Sequence, residues 1–291
     1  MLYIVLVVVV VFVIENSIFR AANVLRGSST QLQVDEYYYN SILPKVFPTS
    51  TPKTIVRPNI FVDVGANCGN SYYKIKNRSQ EVLKDYESWN TYLWECNPQM
   101  INLFLNDLIE EERTIAKNDP KRQHHHIELI EKAASITNGN ITFYLTAGQE
   151  QYKQGVKPTC DPFSQYSPAA ASTIYETAKR ASKQTQVNVE SVDFTQWFDN
   201  LLYGSGGNID NTTVVALKVD IEGAEKLIFE KMVKEDASNA ICRVNILWME
   251  WHHDIFEKDS EEYLSHKKFK ETFPTQYQTK CQKRLRIGRW H

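Results

Sequence analysis

Short apolar runs alternate with longer amphipathic stretches from residue 60 onward. Runs rich in valine, isoleucine and leucine predict strands at 60–64, 92–95, 127–131, 141–145, 187–192, 214–219 and 244–250. The amphipathic stretches predict helices at 71–84, 98–116, 195–202, 224–234 and 260–272. Because several of the strands are apolar throughout, we expect an α/β fold with a mostly parallel sheet covered by helices on both faces.

A different pattern marks the N-terminus, where residues 1–14 are apolar without interruption. A helix of that length covers ~21 Å, less than the ~30 Å of a hydrocarbon core, and tilt or the partly apolar continuation can supply the difference. We predict an N-terminal hydrophobic helix within residues 1–22 that anchors the chain in a membrane as a single pass. A cleaved signal sequence and a buried strand remain the alternatives.

The segment 23–54 is rich in serine, threonine and proline and predicts a stalk, so that the folded domain spans 55–291. Within that domain, 146–171 predicts a long loop. Arg20 and Arg26 weakly favour a cytoplasmic domain under the positive-inside rule. Glycosylation acceptor triplets begin at Asn77, Asn140 and Asn211, a number close to that expected by chance, so the side of the membrane stays open.

Charge and cysteine content exclude several classes of protein. The chain has 33 Lys+Arg against 35 Asp+Glu, a net charge of −2 that gives no general attraction to nucleic acid. Five scattered cysteines predict neither a disulfide framework nor a zinc site. Cys68 and Cys96 follow adjacent predicted strands, and we expect them to be free thiols near a ligand pocket.

The clearest motif for chemistry is NIFVDVGANCGNS at 59–71, a strand that enters a glycine-bearing turn and then a helix. Its spacing, Asp63-x-Gly65-x-x-x-Gly69, differs from the three-glycine form of dinucleotide-binding loops. Glycines there let backbone amides approach a ligand, and the acid favours a ligand with a cationic group. A plain strand-to-helix connection is the alternative.

Three further strands also end in acidic residues. Glu95 ends the next strand, where doubly wound folds place the carboxylate that binds ribose hydroxyls. Asp220, Glu222 and Glu225 follow the strand at 214–219, and Glu250 and His252 follow the strand at 244–250. Such a group suits a general base or a divalent cation. Helix capping by Asp220 and Glu225, with Glu250 paired to a lysine, is the alternative.

Taken together, these segments resemble the FkbM-type methyltransferases. The matching pieces, in the order of the family, are DVGANCGNS (63–71), ECNP (95–98), EKAAS (131–135), SVD (191–193), LKVDIEGAE (217–225) and MEWH (249–252). The resemblance implies a Rossmann-like fold that binds S-adenosylmethionine (SAM) and methylates a hydroxyl oxygen of a small molecule or carbohydrate. It assigns Asp63, Gly65, Asn67 and Gly69 to the methionine end of SAM, Glu95 to the ribose, Ala133 and Ala134 to the adenine, and Asp220, Glu222, Glu250 and His252 to the methyl-acceptor side.

The sulfonium of SAM already activates the methyl group, so the protein has to align the acceptor and remove its proton. We expect His252 to be the base because its ordinary pKa lies near neutrality, with Asp220 as the second choice. A metal held by Asp220, Glu222 and Glu250 is a third possibility, and our prediction is a site without metal. The other functions considered are an inactive membrane-tethered interaction module on the same fold and, disfavoured by the glycine spacing, an NAD-dependent oxidoreductase.

Overall fold

The computed structural model describes residues 58–82, 89–119, 126–145, 171–172, 185–204, 209, 212–234, 239–283 and 286–289. The predicted anchor (1–22), the predicted stalk (23–54) and all but the last residue of the predicted loop (146–171) lie outside this described part. None of the helices in the described part is long and apolar enough to cross a membrane.

A six-stranded sheet of entirely parallel strands forms the centre of the domain. Its strands are β1 (Ile60–Val64), β2 (Asn90–Trp94), β3 (His126–Ile130), β8 (Val215–Val219), β9 (Ile246–Met249) and β10 (Arg286–Arg289), in the spatial order β10-β9-β8-β1-β2-β3. Counted along this sheet alone the order is 3-2-1-4-5-6, the order of doubly wound α/β folds. The direction of winding reverses between β1 and β8. The prediction of a mostly parallel sheet is confirmed.

Helices cover both faces of this sheet, as predicted. One face packs against α3 (Phe194–Tyr203), α4 (Glu225–Lys234) and α5 (Glu261–Cys281). The other face packs against α1 (Asn70–Val82) and α2, which consists of Pro98–Met100, a π-helical turn Ile101–Leu105 and Asn106–Asn118. Neighbouring residues of β1 alternate between the two cores, with Phe61 in one and Val62 in the other, and both are fully buried. Burial on both faces explains why these strands are apolar throughout.

Four further strands form a smaller mixed sheet in the order β4-β7-β5-β6. They are β4 (Ala133–Ser135), β5 (Gly139–Leu145), β6 (Ala171–Ser172) and β7 (Thr185–Asp193). The strand β7 pairs in parallel with β4 and antiparallel with β5. The sequence predicted β5 and β7 but missed β4, β6 and β10, because two to four residues are too few to establish a period.

Helix α5 is longer than the sequence predicted. The prediction ended at residue 272, two residues before Pro274, whereas the helix continues to Cys281 with that proline inside it. Phe273 and Tyr277 are fully buried against the central sheet. The burial of these two rings outweighs the backbone hydrogen bond that the proline removes.

Disulfides correct the expectation for the cysteines. Cys242 bonds to Cys281 and thereby joins the 3₁₀ turn Ala240–Arg243 to the end of α5. Cys68, expected as a free thiol, is also disulfide-bonded, whereas Cys96 is free as predicted. The sequence did not predict the Cys242–Cys281 bond, because these two residues are 39 positions apart and come together only on folding.

Candidate active site

A pocket of about 640 Å³, including its part open to solvent, lies at the carboxyl ends of β1, β2 and β8. This position beside the reversal between β1 and β8 is where doubly wound folds bind ligands. Its lining contains seven of the residues predicted for the site: Gly65, Asn67, Glu95, Ala133, Ala134, Asp220 and Glu222. Apolar side chains that the sequence did not single out complete one wall: Trp94, Met100, Phe143 and Ile221.

The turn after β1 forms the base of this pocket. The backbone N–H groups of Gly65 and Ala66 both donate to the carbonyl oxygen of Trp94, at 3.1 and 2.9 Å, which fixes the turn against β2. Gly65 has a φ of +81°, and a Cβ atom there would lie 1.8 Å from the carbonyl oxygen of Asp220. Glycine is therefore required by both the backbone conformation and the close approach of β8.

Two residues other than glycine that line the pocket also have left-handed backbone conformations. Asn67 has a φ of +53° and Glu222 has a φ of +54°. Such conformations cost of order 1 kcal/mol or more and concentrate at functional sites. They occur here in the two loops that face each other across the reversal of the sheet.

Glu95 is held in place by backbone donors. Its Oε2 atom accepts from Asn67 N–H at 2.8 Å, and its Oε1 atom accepts from the N–H groups of Cys96 and Asn97 at 2.9 and 2.7 Å. Burial raises the pKa of Glu95, and these three amides and the charge of Lys218 act against that increase. The carboxylate is thus oriented before any ligand binds, and one lone pair of Oε2 is not used by these three donors.

Asp63 lies behind the pocket rather than in its lining. Its side chain is fully buried, where it accepts from the hydroxyl of Ser71 and lies 3.1 Å from Lys218 Nζ. Gly69 is also absent from the lining and packs against α2, since a Cβ atom there would lie 2.5 Å from Leu108. These two residues of the predicted cofactor set support the turn from below.

Lys218 is a positioning residue that the sequence analysis did not assign to the site. Its Nζ atom donates to the carbonyl oxygen of Gly65 at 2.6 Å and lies 3.4 Å from Asp220. Burial alone lowers the pKa of this lysine, but Asp63 and Asp220 together raise it to about 12. The available signal was a lysine within the otherwise apolar strand β8, which needs buried acids beside it.

A cluster of charged side chains lies beside the pocket and consists of the imidazole of His252 and four carboxylates around it. His252 Nδ1 is 2.7 Å from Glu225 Oε1. On the other side of the ring, Nε2 lies 3.6 Å from Asp220, 3.8 Å from Glu222 and 3.6 Å from Glu250. The fold therefore brings together all four residues predicted for the acceptor side, and it adds Glu225. His252 and Glu250 contact the lining residues without being part of the lining.

Glu225 connects this cluster to the start of α4. Its side chain is fully buried, and Oε1 accepts from the N–H groups of Ile221 and Gly223 at 3.0 and 3.2 Å. Glu225 is the first residue of α4, and its carboxylate binds N–H groups of the loop that precedes this helix. Because the same oxygen faces His252, one carboxylate orders both the loop that carries Glu222 and the imidazole.

The charges of the cluster give His252 a different role from the one expected. Burial alone lowers the pKa of His252, but the hydrogen bond to Glu225, the contact with Glu250 and the neighbouring charges raise it to about 11. This upward shift favours the protonated imidazole at neutral pH and argues against His252 as the base. Burial is also the largest cause that raises the pKa of Glu222, to about 7, and Asp220, Glu225 and Glu250 add to it against the opposing effect of His252.

Asp220, Glu222 and His252 are the described residues with the geometry to hold a metal ion, because each offers a ligand atom within 4.8 Å of the others. Coordination by His252 requires the imidazole to be neutral. With His252 protonated, the imidazolium itself supplies the positive charge between the carboxylates.

Most of this chain matches the model of one known protein family. The family described as the methyltransferase FkbM domain matches residues 63–277, well over half of the 291-residue chain. The chain belongs to the FkbM methyltransferase family. The matched range contains every pocket and cluster residue described above, and the resemblance predicted from the motifs is confirmed. Searches of curated proteins and of solved structures found no match.

FkbM membership supports methyltransferase activity in general. Within this family member, the matched range starts in β1 and ends in α5, so it spans the central sheet except β10 and the first residues of β1. The site thus lies within the part of the chain that the family model matches.

Proposed function

We propose that this chain is a SAM-dependent methyltransferase that transfers the methyl group to a hydroxyl oxygen of a small molecule or carbohydrate. The observation that carries the proposal is the pocket whose lining combines Glu95, which follows β2, with Asp220 and Glu222, which follow β8, at the two strands that flank β1 and its Gly65 turn. Glu95 offers an oriented acceptor for a ribose hydroxyl, and Asp220 offers negative charge for a sulfonium and its amino group.

Two buried donors support a nucleoside as the ligand. Asn97 Nδ2 and Trp94 Nε1 belong to pocket-lining residues and have no hydrogen-bond partner among the described residues. Buried donors without partners cost about 1–3 kcal/mol each, so a ligand that offers acceptors gains by satisfying them. The adenine nitrogens and the carboxylate of SAM are such acceptors, and the apolar side chains of Met100 and Phe143 suit the faces of a purine.

SAM, when bound, supplies a methyl group on a positively charged sulfur that leaves as a neutral thioether. Glu95 binds and orients the ribose, and the Gly65–Asn67 turn leaves room for the methionine portion. Glu222 accepts the hydroxyl proton of the acceptor as the new C–O bond forms, in place of His252. A base whose pKa lies near the working pH is partly deprotonated at that pH and still takes up a proton readily. His252 and Glu225 position the loop that carries Glu222.

Binding and transfer can be tested separately. Calorimetric titration of the full chain with SAM should show binding, and titration with NAD should not. Glu95→Gln should weaken SAM binding by about 10- to 100-fold, because it removes a charge-assisted interaction worth about 1.5–3 kcal/mol. Glu110→Gln is the matched control, since Glu110 is a carboxylate 71% exposed on α2.

Transfer is then measured with methyl-labelled SAM and panels of hydroxylated small molecules and sugars. Glu222→Gln should retain SAM binding while turnover falls by about 10²- to 10⁴-fold, the range for loss of a general base. Binding of SAM without transfer to any acceptor would favour an inactive interaction module. Binding of NAD but not SAM would favour an oxidoreductase and contradict the proposal.

A further inference from the structure

The disulfides show which redox environment this fold requires. The Cys242–Cys281 bond ties the segment before β9 to the end of α5, and Cys68 is disulfide-bonded in the turn beside Asn67 and Gly69. Oxidised cysteine thus occurs both in the turn after β1 and between the 3₁₀ turn before β9 and the end of α5. Such bonds form and persist in the endoplasmic reticulum, in secreted proteins and at cell surfaces, and they are rare in the cytosol.

The remaining described cysteine is protected from oxidation. Cys96 is the free thiol among the described residues, and it packs beside the small cluster formed by Ala133, Phe143 and Val189. Burial, with the charge of Glu95 adding to it, raises the pKa of the Cys96 thiol well above its ordinary value. Because the thiolate is the reactive form, this thiol exchanges poorly with the disulfides. A half-buried thiol that favours its protonated form is compatible with an oxidising compartment.

The smaller sheet presents one polar face to solvent. Along β5 and β7, the exposed side chains are Asn140, Thr142, Gln186, Asn188 and Glu190. The alternate positions, Ile141, Phe143, Val187 and Val189, pack on the other face with Ala133. Tyr144 and Val192 share this face farther along the two strands and are half-buried, whereas the positions that neighbour Asn140 are polar and exposed. A large hydrophilic group on Asn140 therefore stands among solvated side chains.

Asn140 begins the acceptor triplet Asn140-Ile141-Thr142 on that polar face. Asn140 and Thr142 are both exposed, on the same side of β5, and neither lines the pocket. Asn211 lies outside the described residues, and Asn77 lies in α1 at a position where the structure describes the backbone alone. Among the three acceptor asparagines, Asn140 is therefore the one whose side chain the structure shows to be exposed.

We propose that this domain folds in an oxidising compartment of the secretory pathway and that Asn140 carries an N-linked glycan. The anchor and the cleaved signal, the two leading interpretations of residues 1–22, both deliver a chain to that pathway. The proposal reverses the weak preference for a cytoplasmic domain given by Arg20 and Arg26, since two arginines bias orientation only slightly. It does not depend on the methyltransferase activity.

The test is expression of the full chain in eukaryotic cells, followed by removal of N-glycans with a peptide-N-glycosidase in heavy-oxygen water and peptide mass spectrometry. This amidase hydrolyses the side-chain amide of the glycosylated asparagine and leaves an aspartate that carries one oxygen from the water. We expect residue 140 to be recovered as a labelled aspartate in the wild-type protein, which requires no variant to fold. N140Q and T142A should each lose one glycan step on gel electrophoresis. N188Q, on the same exposed face but outside any acceptor triplet, should leave the mobility unchanged.

Alkylation before and after reduction tests the redox part of the proposal. Cys242 and Cys281 should appear as one linked peptide before reduction, and Cys96 should be alkylated only after denaturation. Reduced Cys242 and Cys281 in the cellular protein, with no glycan on the chain, would overturn the assignment to an oxidising compartment. An unmodified Asn140 in a protein glycosylated elsewhere would overturn the site.

Discussion

His252 Nδ1 lies 2.7 Å from the Oε1 atom of Glu225, a side chain with no exposed surface. Because that oxygen also accepts two backbone N–H groups of the loop before α4, the imidazole is fixed to the loop that carries Glu222. Three further carboxylates lie on the opposite side of the ring. An imidazole in that position holds its proton and acts as the cation of the cluster.

His252 should stay protonated across the physiological range, because its carboxylate neighbours raise its pKa to about 11. His266 provides an internal contrast, since burial, followed by the charge of Lys226, lowers its pKa. Nitrogen-15 NMR of the imidazole rings between pH 5 and 9 should show an unchanged signal for His252 and titration of His266 at the acidic end. Deprotonation of His252 below pH 8 would contradict this prediction.

Replacement of His252 by glutamine should destabilise the protein by about 3–5 kcal/mol, because Glu225 is left buried without a positive partner. The double variant with Glu225→Gln should recover part of the loss, as measured by urea unfolding in a double-mutant cycle. The pKa of His252 is higher in the folded state than in the unfolded state. The difference between wild type and variant should therefore be complete below about pH 6.5 and should shrink as pH rises toward 11.

Glu222 should make the stability of the domain fall as pH rises. Its pKa in the folded state is raised from 4.5 to about 7, so its protonated form favours folding. This contribution is complete below about pH 4.5, is lost as pH rises through 7, and amounts to about 3 kcal/mol at most. Urea midpoints at pH 5 and pH 8 should differ less for Glu222→Gln than for wild type. Glu110→Gln should retain the wild-type difference.

Lys218→Met should destabilise the domain by about 3–5 kcal/mol, because the fully buried Asp63 loses its positive partner. The double variant Asp63→Asn with Lys218→Met removes both charges and should be more stable than Lys218→Met alone. The free energy of unfolding in urea measures both effects. Additive losses in the double variant would show that the two side chains do not interact.

Gly65→Ala should prevent formation of the pocket, because the added Cβ would lie 1.8 Å from the carbonyl oxygen of Asp220. The expected result is loss of ligand binding together with a large loss of stability. Gly139→Ala is the matched control, since Gly139 also has a positive φ but a Cβ there meets nothing within 4 Å. Thermal melting followed by circular dichroism should show a small decrease in Tm for Gly139→Ala and a larger one for Gly65→Ala. An equal decrease in Tm for both variants would exclude the steric cause.

Several features could be predicted from local sequence alone because each rests on neighbours in the chain. Strand β1 has the bounds that its apolar run predicts, and the starts of α1 and α2 are correct to within one residue. Asn97, followed by Pro98, caps and begins α2 as its sequence indicates. The short edge strands could not be predicted, because pairing with distant strands defines them.

Some residues of the candidate site could likewise be predicted from the sequence, whereas the orientation of their side chains could not. Acids at strand ends identified Glu95, Asp220 and Glu222, since parallel strands bring their carboxyl ends to one edge of a sheet. The direction in which each side chain points was not available from the sequence, and folding directs Asp63 toward Lys218 instead of the pocket. The pKa of His252 was equally unavailable, because it depends on carboxylates from the loops after β8 and β9, which meet only in the folded state.

The amino-acid sequence by itself determined the α/β class, the strand-turn-helix at Gly65 and the membership of the FkbM family, since periodicity and short motifs are properties of neighbouring residues. Only the tertiary structure decided that Lys218 joins Asp63 to Asp220, that Glu225 orients His252 and that Cys242 meets Cys281. Burial and electrostatic interaction depend on distances between residues far apart in the chain, and these distances exist only after the strands have paired.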